Sequence, residues 1–200
     1  PSFFVIEADE YDTSFFDKRS KFVHYRPKTL ILNNLEFDHA DIFENISHIE
    51  KHFHHLVRTI PKIGKIIFNN KSNSIKRVIK MGCWSDLEDF GEIGKWSYRK
   101  INDNEFEISF KRKIQGSVKW DLIGHHNSLN ALAAIAAAQH IGISPKNAIN
   151  SLGKFKSVKK RMEFLTSINK IDIYDDFAHH PTAIKTTLEG LRKKIGDNRI

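Results

Sequence analysis

The chain has 200 residues, enough for one large domain or one and a fraction. It is 40% hydrophobic and 28% charged, with no apolar run near the ~20 residues of a membrane span and no signal-peptide pattern at its start. One cysteine, Cys83, excludes a disulfide framework and a zinc–cysteine site and fits a cytoplasmic setting, while the +8 charge admits nucleic acid or an anionic small substrate as partner.

The first element expected is a strand at Phe3–Ile6, an apolar run that ends in Glu7-Ala8-Asp9-Glu10-Tyr11-Asp12. Thr13 to Thr29 mixes aromatic and basic residues without a clean period. It reads as a loop with a short helix, closed by Pro27. The chain is organised around the next stretch, Leu30 to Phe43. Its apolar run Leu30-Ile31-Leu32 reads as a short buried strand, followed at once by Asn33, Asn34, Glu36, Asp38, His39 and Asp41. An open α/β sheet puts its ligand site at the carboxyl ends of its strands. Two neighbouring strands ending in carboxylates, one with a histidine, could hold Mg²⁺, which takes few protein ligands and fills its shell with water and phosphate. Solvated strand ends are the alternative for the same residues.

Asn45 to Thr59 has Ile46, Ile49, Phe53, Leu56 and Val57 at helical spacing. His48, His52 and His55 share one flank of that helix. Without an H-E-x-x-H pattern they read as a solvated flank ahead of a metal site. A strand at Lys65–Asn69 and a helix over Asn73–Met81 follow, then an irregular stretch, MGCWSDLEDFGE. From Lys95 the pattern changes to period two in KWSYRKI, EFEISFKR and SVKWDLI. Turns are expected at Asn102-Asp103-Asn104 and Gln115-Gly116, giving an antiparallel meander.

Gly124-His125-His126-Asn127-Ser128-Leu129-Asn130 runs into an alanine-rich helix ended by Gly142. Asn127 and Asn130 lie at i, i+3 on its first turn, where amide side chains suit the edge of an adenine ring. Helix capping by Asn127 is the simpler alternative, and it leaves Asn130 without a reason. Ser144 and Pro145 open another helix, to about Leu152. Lys154 to Arg161 is a basic connector and the best candidate for a domain boundary. Beyond it come a strand pair, EFLTSI and KIDIYDDF, joined at Asn169-Lys170, and a helix from Pro181 to about Lys194. This unit reads as the start of a second α/β domain. With a strand expected almost at residue 1 and GDNRI where another strand should begin, the chain reads as a piece of a longer protein.

Five ordered motifs, EADEYD, NNLEFDHADIF, GHHNSLNALAA, KKRMEF and DDFAHHPTAI, resemble the Mur ligase family over essentially the whole chain. The family comprises ATP-dependent amide-bond ligases of peptidoglycan metabolism. The resemblance implies an α/β fold. Residues 1–155 would be a partial P-loop-type central ATP-binding domain, a mostly parallel sheet with an antiparallel meander. Residues 156–200 would begin a Rossmann-like C-terminal domain. Carried over by motif, Glu7 and His39 match the magnesium-site glutamate and histidine and, with Arg161, the catalytic set. Asn127, Asn130, Arg161 and Asp176 match the nucleotide-binding residues, Asp176 at the ribose. His179 and His180 belong to the neighbourhood of the site. ATP and Mg²⁺ are the implied cofactors.

The wording of FFDKRSKFVHYRPKTLILNNLEFDHADIFENI and HFHHLVRTIP points to members that join the murein tripeptide L-Ala-γ-D-Glu-meso-diaminopimelate to UDP-N-acetylmuramate in peptidoglycan recycling. A UDP-N-acetylmuramate–L-alanine ligase is the alternative within the family, and a basic nucleic-acid-binding module the alternative outside it. The scattered Lys and Arg residues disfavour the latter. No nucleic-acid or membrane partner is expected, and a monomer is. Two departures from the family pattern stand out. No G-K-T phosphate loop occurs, since Gly94-Lys95-Trp96 lacks the hydroxyl residue, so this chain alone is not expected to turn over. The position of the carbamylated lysine found in several family members falls at or beside Phe53, so none is expected here.

Overall fold

The computed structural model describes residues 3–13, 15–38, 42–122 and 124–200. A 3₁₀ turn at Lys21–His24 precedes β1 (Thr29–Leu32), α1 (Ile46–Thr59), β2 (Lys65–Asn69), α2 (Asn73–Lys80) and β3 (Asp86–Gly91). Then come β4 (Trp96–Asn102), β5 (Glu105–Phe110), β6 (Lys113–Lys119), α3 (His125–His140) and α4 (Pro145–Leu152). A hairpin of β7 (Glu163–Ile168) and β8 (Ile171–Asp175) leads into α5 (Pro181–Ile195).

One six-stranded sheet has its strands in chain order, β1 to β6, and β7–β8 form a separate two-stranded sheet. β1–β2, β2–β3 and β3–β4 are parallel; β4–β5 and β5–β6 are antiparallel. This is the expected parallel sheet with its meander. Each face is buried by helices, as parallel strands require. Alternation along the strands divides the core: Leu30, Leu32 and Ile66 pack with Ile49, Leu56, Val57, Ile75 and Val78 of α1 and α2. On the other face Ile67, Phe90, Trp96 and Ile108 pack with Leu132, Ile135 and Ala136 of α3. Each fully buried aliphatic side chain contributes about 1.5–3 kcal/mol. Small alanines let α3 lie close to the sheet, and it touches β1, β2, β3 and β4.

Local signals account for the helix ends. Asn45 caps α1 by accepting the His48 N–H at 3.0 Å, and Ser72 and Ser144 cap α2 and α4. Glu50, buried on α1, accepts two bonds from Arg77 of α2, at 2.6 and 2.9 Å, and ties the two helices together.

The structure corrects three expectations. Phe3–Ile6 is not a strand: the segment is irregular, and Phe4 and Val5 are 84% and 92% exposed. Among the described residues β1 pairs only with β2, and four apolar residues do not hold a strand without a neighbour. The stretch expected to be irregular contains β3. Its buried Glu88 accepts from Trp96 Nε1–H at 2.7 Å and Lys65 Nζ at 3.1 Å, so an acidic residue occupies a core position. The last meander turn falls at Lys111-Arg112, both with positive φ (48° and 66°), and β6 starts at Lys113. Gln115 and Gly116 lie inside β6, where the register with β5 shifts.

Candidate active site

The polypeptide brings most of the sequence-selected residues to one region, where β1 ends, α3 begins and the C-terminal unit approaches. α3 starts at Gly124, whose φ of +112° no side chain adopts easily. A Cβ there would come within 2.8 Å of the His126 ring. Glycine at this position therefore lets the half-buried His126 fold back over the helix start. Burial, then His125, push the His126 imidazole below its ordinary pKa. Asp176 opposes that shift and Arg161 adds to it, so residues from both sides of the connector bear on one imidazole.

Asn130 is exposed on the first turn of α3, and its Oδ1 accepts from Asn33 Nδ2 at 2.5 Å. Asn33 immediately follows β1, so this bond joins the strand end to the helix start. Asn127 sits three residues past the N-cap, and its own N–H donates to the Gly124 carbonyl at 3.1 Å. The N-cap is Gly124, so capping does not explain Asn127. Asn130 is exposed at the start of α3, where its amide could take a purine edge.

Asp176 follows β8. It accepts the Met162 N–H at 2.8 Å and the Ala178 N–H at 2.9 Å, which hold its carboxylate beside the connector. Arg161, exposed, lies over the Phe177 ring at 5.9 Å. The charges of Arg161 and Asp176 both act on His126, in the first turn of α3. Glu7 is exposed in the irregular N-terminal segment and not at the end of a strand, the consequence of the missing strand noted above. His39 lies outside the described residues, as does Asp41. Among the described residues no three His, Cys, Asp or Glu side chains cluster closely enough to hold a metal. Mg²⁺ bound by two protein groups, water and phosphate does not need such a cluster.

Further polar groups border this region. Tyr98 Oη meets His125 Nδ1, whose ring lies 3.8 Å from Glu92. Burial, then the Glu92 charge, push the Tyr98 phenol above its ordinary pKa. Sequence reasoning did not select Asn33 or His126. Asn33 resembles any turn residue after a strand. His126 could have been found, because it directly precedes Asn127 in the glycine-led turn. His48, His52 and His55 do share a flank of α1, with the first two rings 5.0 Å apart. His48 and His52 pack on Phe43, and Ser20 Oγ lies 2.8 Å from His52 Nδ1, whereas His55 is exposed, so the flank is packed at its first two histidines and solvated, as expected, at the third.

Among the described residues no helix is long and apolar enough to cross a membrane. The Mur ligase middle domain matches residues 1–138, and the Mur ligase glutamate ligase domain matches residues 160–200. A relative from Escherichia coli (strain K12), named UDP-N-acetylmuramate–L-alanyl-γ-D-glutamyl-meso-2,6-diaminoheptandioate ligase, is 54% identical over 97% of this chain and 43% of its own length. A UDP-N-acetylmuramate–L-alanine ligase from Clostridium acetobutylicum is 34% identical over 95% of this chain and 41% of its own. The crystal structure of a murein peptide ligase from Psychrobacter arcticus 273-4 superposes with a TM-score of 0.76 at 46% identity, over 96% of this chain and 40% of that one. The chain thus spans less than half the length of the relatives it matches. The two domain matches, with the strand-end and helix-start geometry between them, establish that the chain belongs to the Mur ligase family.

Proposed function

We propose that the protein is an ATP-dependent amide-bond ligase that joins the murein tripeptide L-Ala-γ-D-Glu-meso-diaminopimelate to UDP-N-acetylmuramate, in the cytoplasm. The observation that carries this reading is the identity gap between the two named groups of relatives, which favours the tripeptide ligase over the L-alanine ligase. Residues 1–155 would form the ATP-binding domain and residues 156–200 the start of the C-terminal domain.

In this reading the muramoyl carboxylate takes the γ-phosphoryl group of ATP, giving an acyl phosphate and ADP. The tripeptide α-amine attacks the acyl carbon, phosphate leaves, and an amide remains. Asn127 and Asn130 would hold the adenine edge, with Asn33 fixing the Asn130 amide. Asp176 would accept from the ribose. Arg161 would lend its charge to the nucleotide and phosphates, where placement and charge neutralisation do most of the work. The donor set of one carboxylate and one imidazole suits a cation that keeps water and phosphate ligands, so Glu7 and His39 would hold Mg²⁺. When bound, Mg²⁺ supplies Lewis-acid stabilisation of phosphoryl oxygens. The basic excess of the chain suits two polyanionic substrates.

The test follows ADP release by the full-length protein with UDP-N-acetylmuramate and either the tripeptide or L-alanine. Turnover with the tripeptide alone is expected. Turnover with L-alanine alone would overturn the acceptor assignment, and release with neither would overturn the function.

A further inference from the structure

We propose that His180 is a positioning residue that pins the loop after β1 to the start of α5. His180 is the N-cap of α5, and its Nδ1 accepts the Thr182 N–H at 3.3 Å. A ring nitrogen that accepts carries no proton, so the other nitrogen holds it. That other nitrogen, Nε2, lies 3.3 Å from the Phe37 carbonyl, 143 residues away in sequence, and donates to it. One imidazole therefore caps a helix in the C-terminal unit and grips the backbone of the sheet unit.

Neighbouring side chains extend the seam. Thr182 Oγ1 donates to Glu36 Oε2 at 2.6 Å, and the same carboxylate oxygen lies 3.6 Å from His180 Nδ1. His179 Nε2 lies 4.0 Å from Asp38. Glu36, Phe37 and Asp38 thus each meet the His179–Thr182 segment. Of the two histidines, His180 is the sheltered one: its side chain is 25% exposed against 64% for His179. Among the described residues β1 pairs only with β2, so no described strand flanks the loop that follows on its other side. The seam supplies that support one residue before His39.

The test separates capping from docking. His180→Asp keeps an N-cap acceptor, since Asp caps helices as well as any residue, but it removes the donor to Phe37 and sets a carboxylate against Glu36. His180→Asn keeps both an acceptor and a donor. Spin labels at Lys51→Cys and Lys185→Cys, in a Cys83→Ser background of the full chain, report the distance between α1 and α5. A narrow distribution is expected for the parent and for His180→Asn. For His180→Asp a broadened, longer distribution is expected with unchanged helix content, a fall of roughly tenfold in the docked-to-undocked ratio. An unchanged distribution in His180→Asp overturns the proposal. If His180→Asp loses helix content, His180→Ser, another N-cap residue and one too short to reach Phe37, replaces it, and an unchanged distribution there overturns the proposal equally. A second readout rests on the ligase reading: kcat falls in His180→Asp and recovers in His180→Asn. The distance measurement stands whether or not that reading does.

Discussion

Replacing Glu88 with alanine tests the account of how β3 enters the core. Glu88 is 5% exposed and accepts from Trp96 Nε1–H at 2.7 Å and from Lys65 Nζ at 3.1 Å. Trp96 is fully buried, so its stranded N–H alone costs about 1–3 kcal/mol. The Lys65 side chain is 21% exposed and recovers part of its hydration, which tempers the loss of the ion pair. Alanine keeps Cβ, so one methylene is lost from a packed site, which adds about 0.8 kcal/mol at most. The sum is about 3 kcal/mol, at the low end for breaking a buried pair. At a urea slope of about 2 kcal/mol per molar, the midpoint falls by ~1.5 M. Glu88→Gln keeps an acceptor for the indole and nearly the same volume, and should cost about 1 kcal/mol. Urea titrations followed by tryptophan fluorescence give both numbers. A midpoint shift below ~0.5 M for the alanine variant, or equal shifts for both variants, would refute the reasoning.

Four further outcomes are expected. Burial, followed by the charges of His48 and His55, holds the His52 pKa below 6.5. The unfolded chain then binds the extra proton, so this contribution is present above about pH 6.5 and lost as pH falls below it. Thermal melts between pH 7.5 and 5.5 should show a falling Tm that His52→Gln blunts. Gly64→Ala places a Cβ 2.8 Å from the Lys28 carbonyl and from Ile60 Cγ2. A backbone neighbour cannot swing away, so denaturation should show a loss of about 1–3 kcal/mol. Asn130→Ala in the full-length protein should raise the KM for ATP roughly tenfold with a smaller change in that for UDP-N-acetylmuramate, as steady-state kinetics would read. In hydrogen exchange, β2 and α3 should be the slowest segments and β7, β8 and α5 the fastest, because α5 has no buried residue and Phe164, Leu165, Ile168 and Ile171 are all more than half exposed.

Elements with a single strong local signal were readable from sequence. Asn45, Ser144 and Pro145 mark helix starts, and Leu30–Leu32 and Lys65–Asn69 are short apolar runs. Failures arose where a tertiary partner decides. Glu88 looks like a loop residue until Trp96 and Lys65 are beside it. Phe3–Ile6 has strand composition, but no described strand pairs with it. Lys111-Arg112 makes a turn without glycine or asparagine, so the start of β6 was hidden. The site divides in the same way. Asn130, Arg161 and Asp176 carry motif spacing, whereas Asn33 gains meaning only through its 2.5 Å bond to a residue 97 positions later. His180 was visible only as part of a motif, because a cap that also reaches across to another unit leaves no local mark.

The strand order has a consequence for how the sheet forms. Each strand of the large sheet hydrogen-bonds to the one made just before it, with no crossover to a distant neighbour. Such a sheet can be laid down vectorially as the chain leaves the ribosome, each strand using its predecessor as a template, with longer crossovers through α1 and α2 first and short loop closures from β3 to β6. α3 is different. It follows all six strands and packs across β1 through β4, so one face of the nascent sheet stays bare until about residue 140 has emerged. Ribosome-bound chains ending before α3 should therefore recruit holding chaperones, and those ending after it should release them.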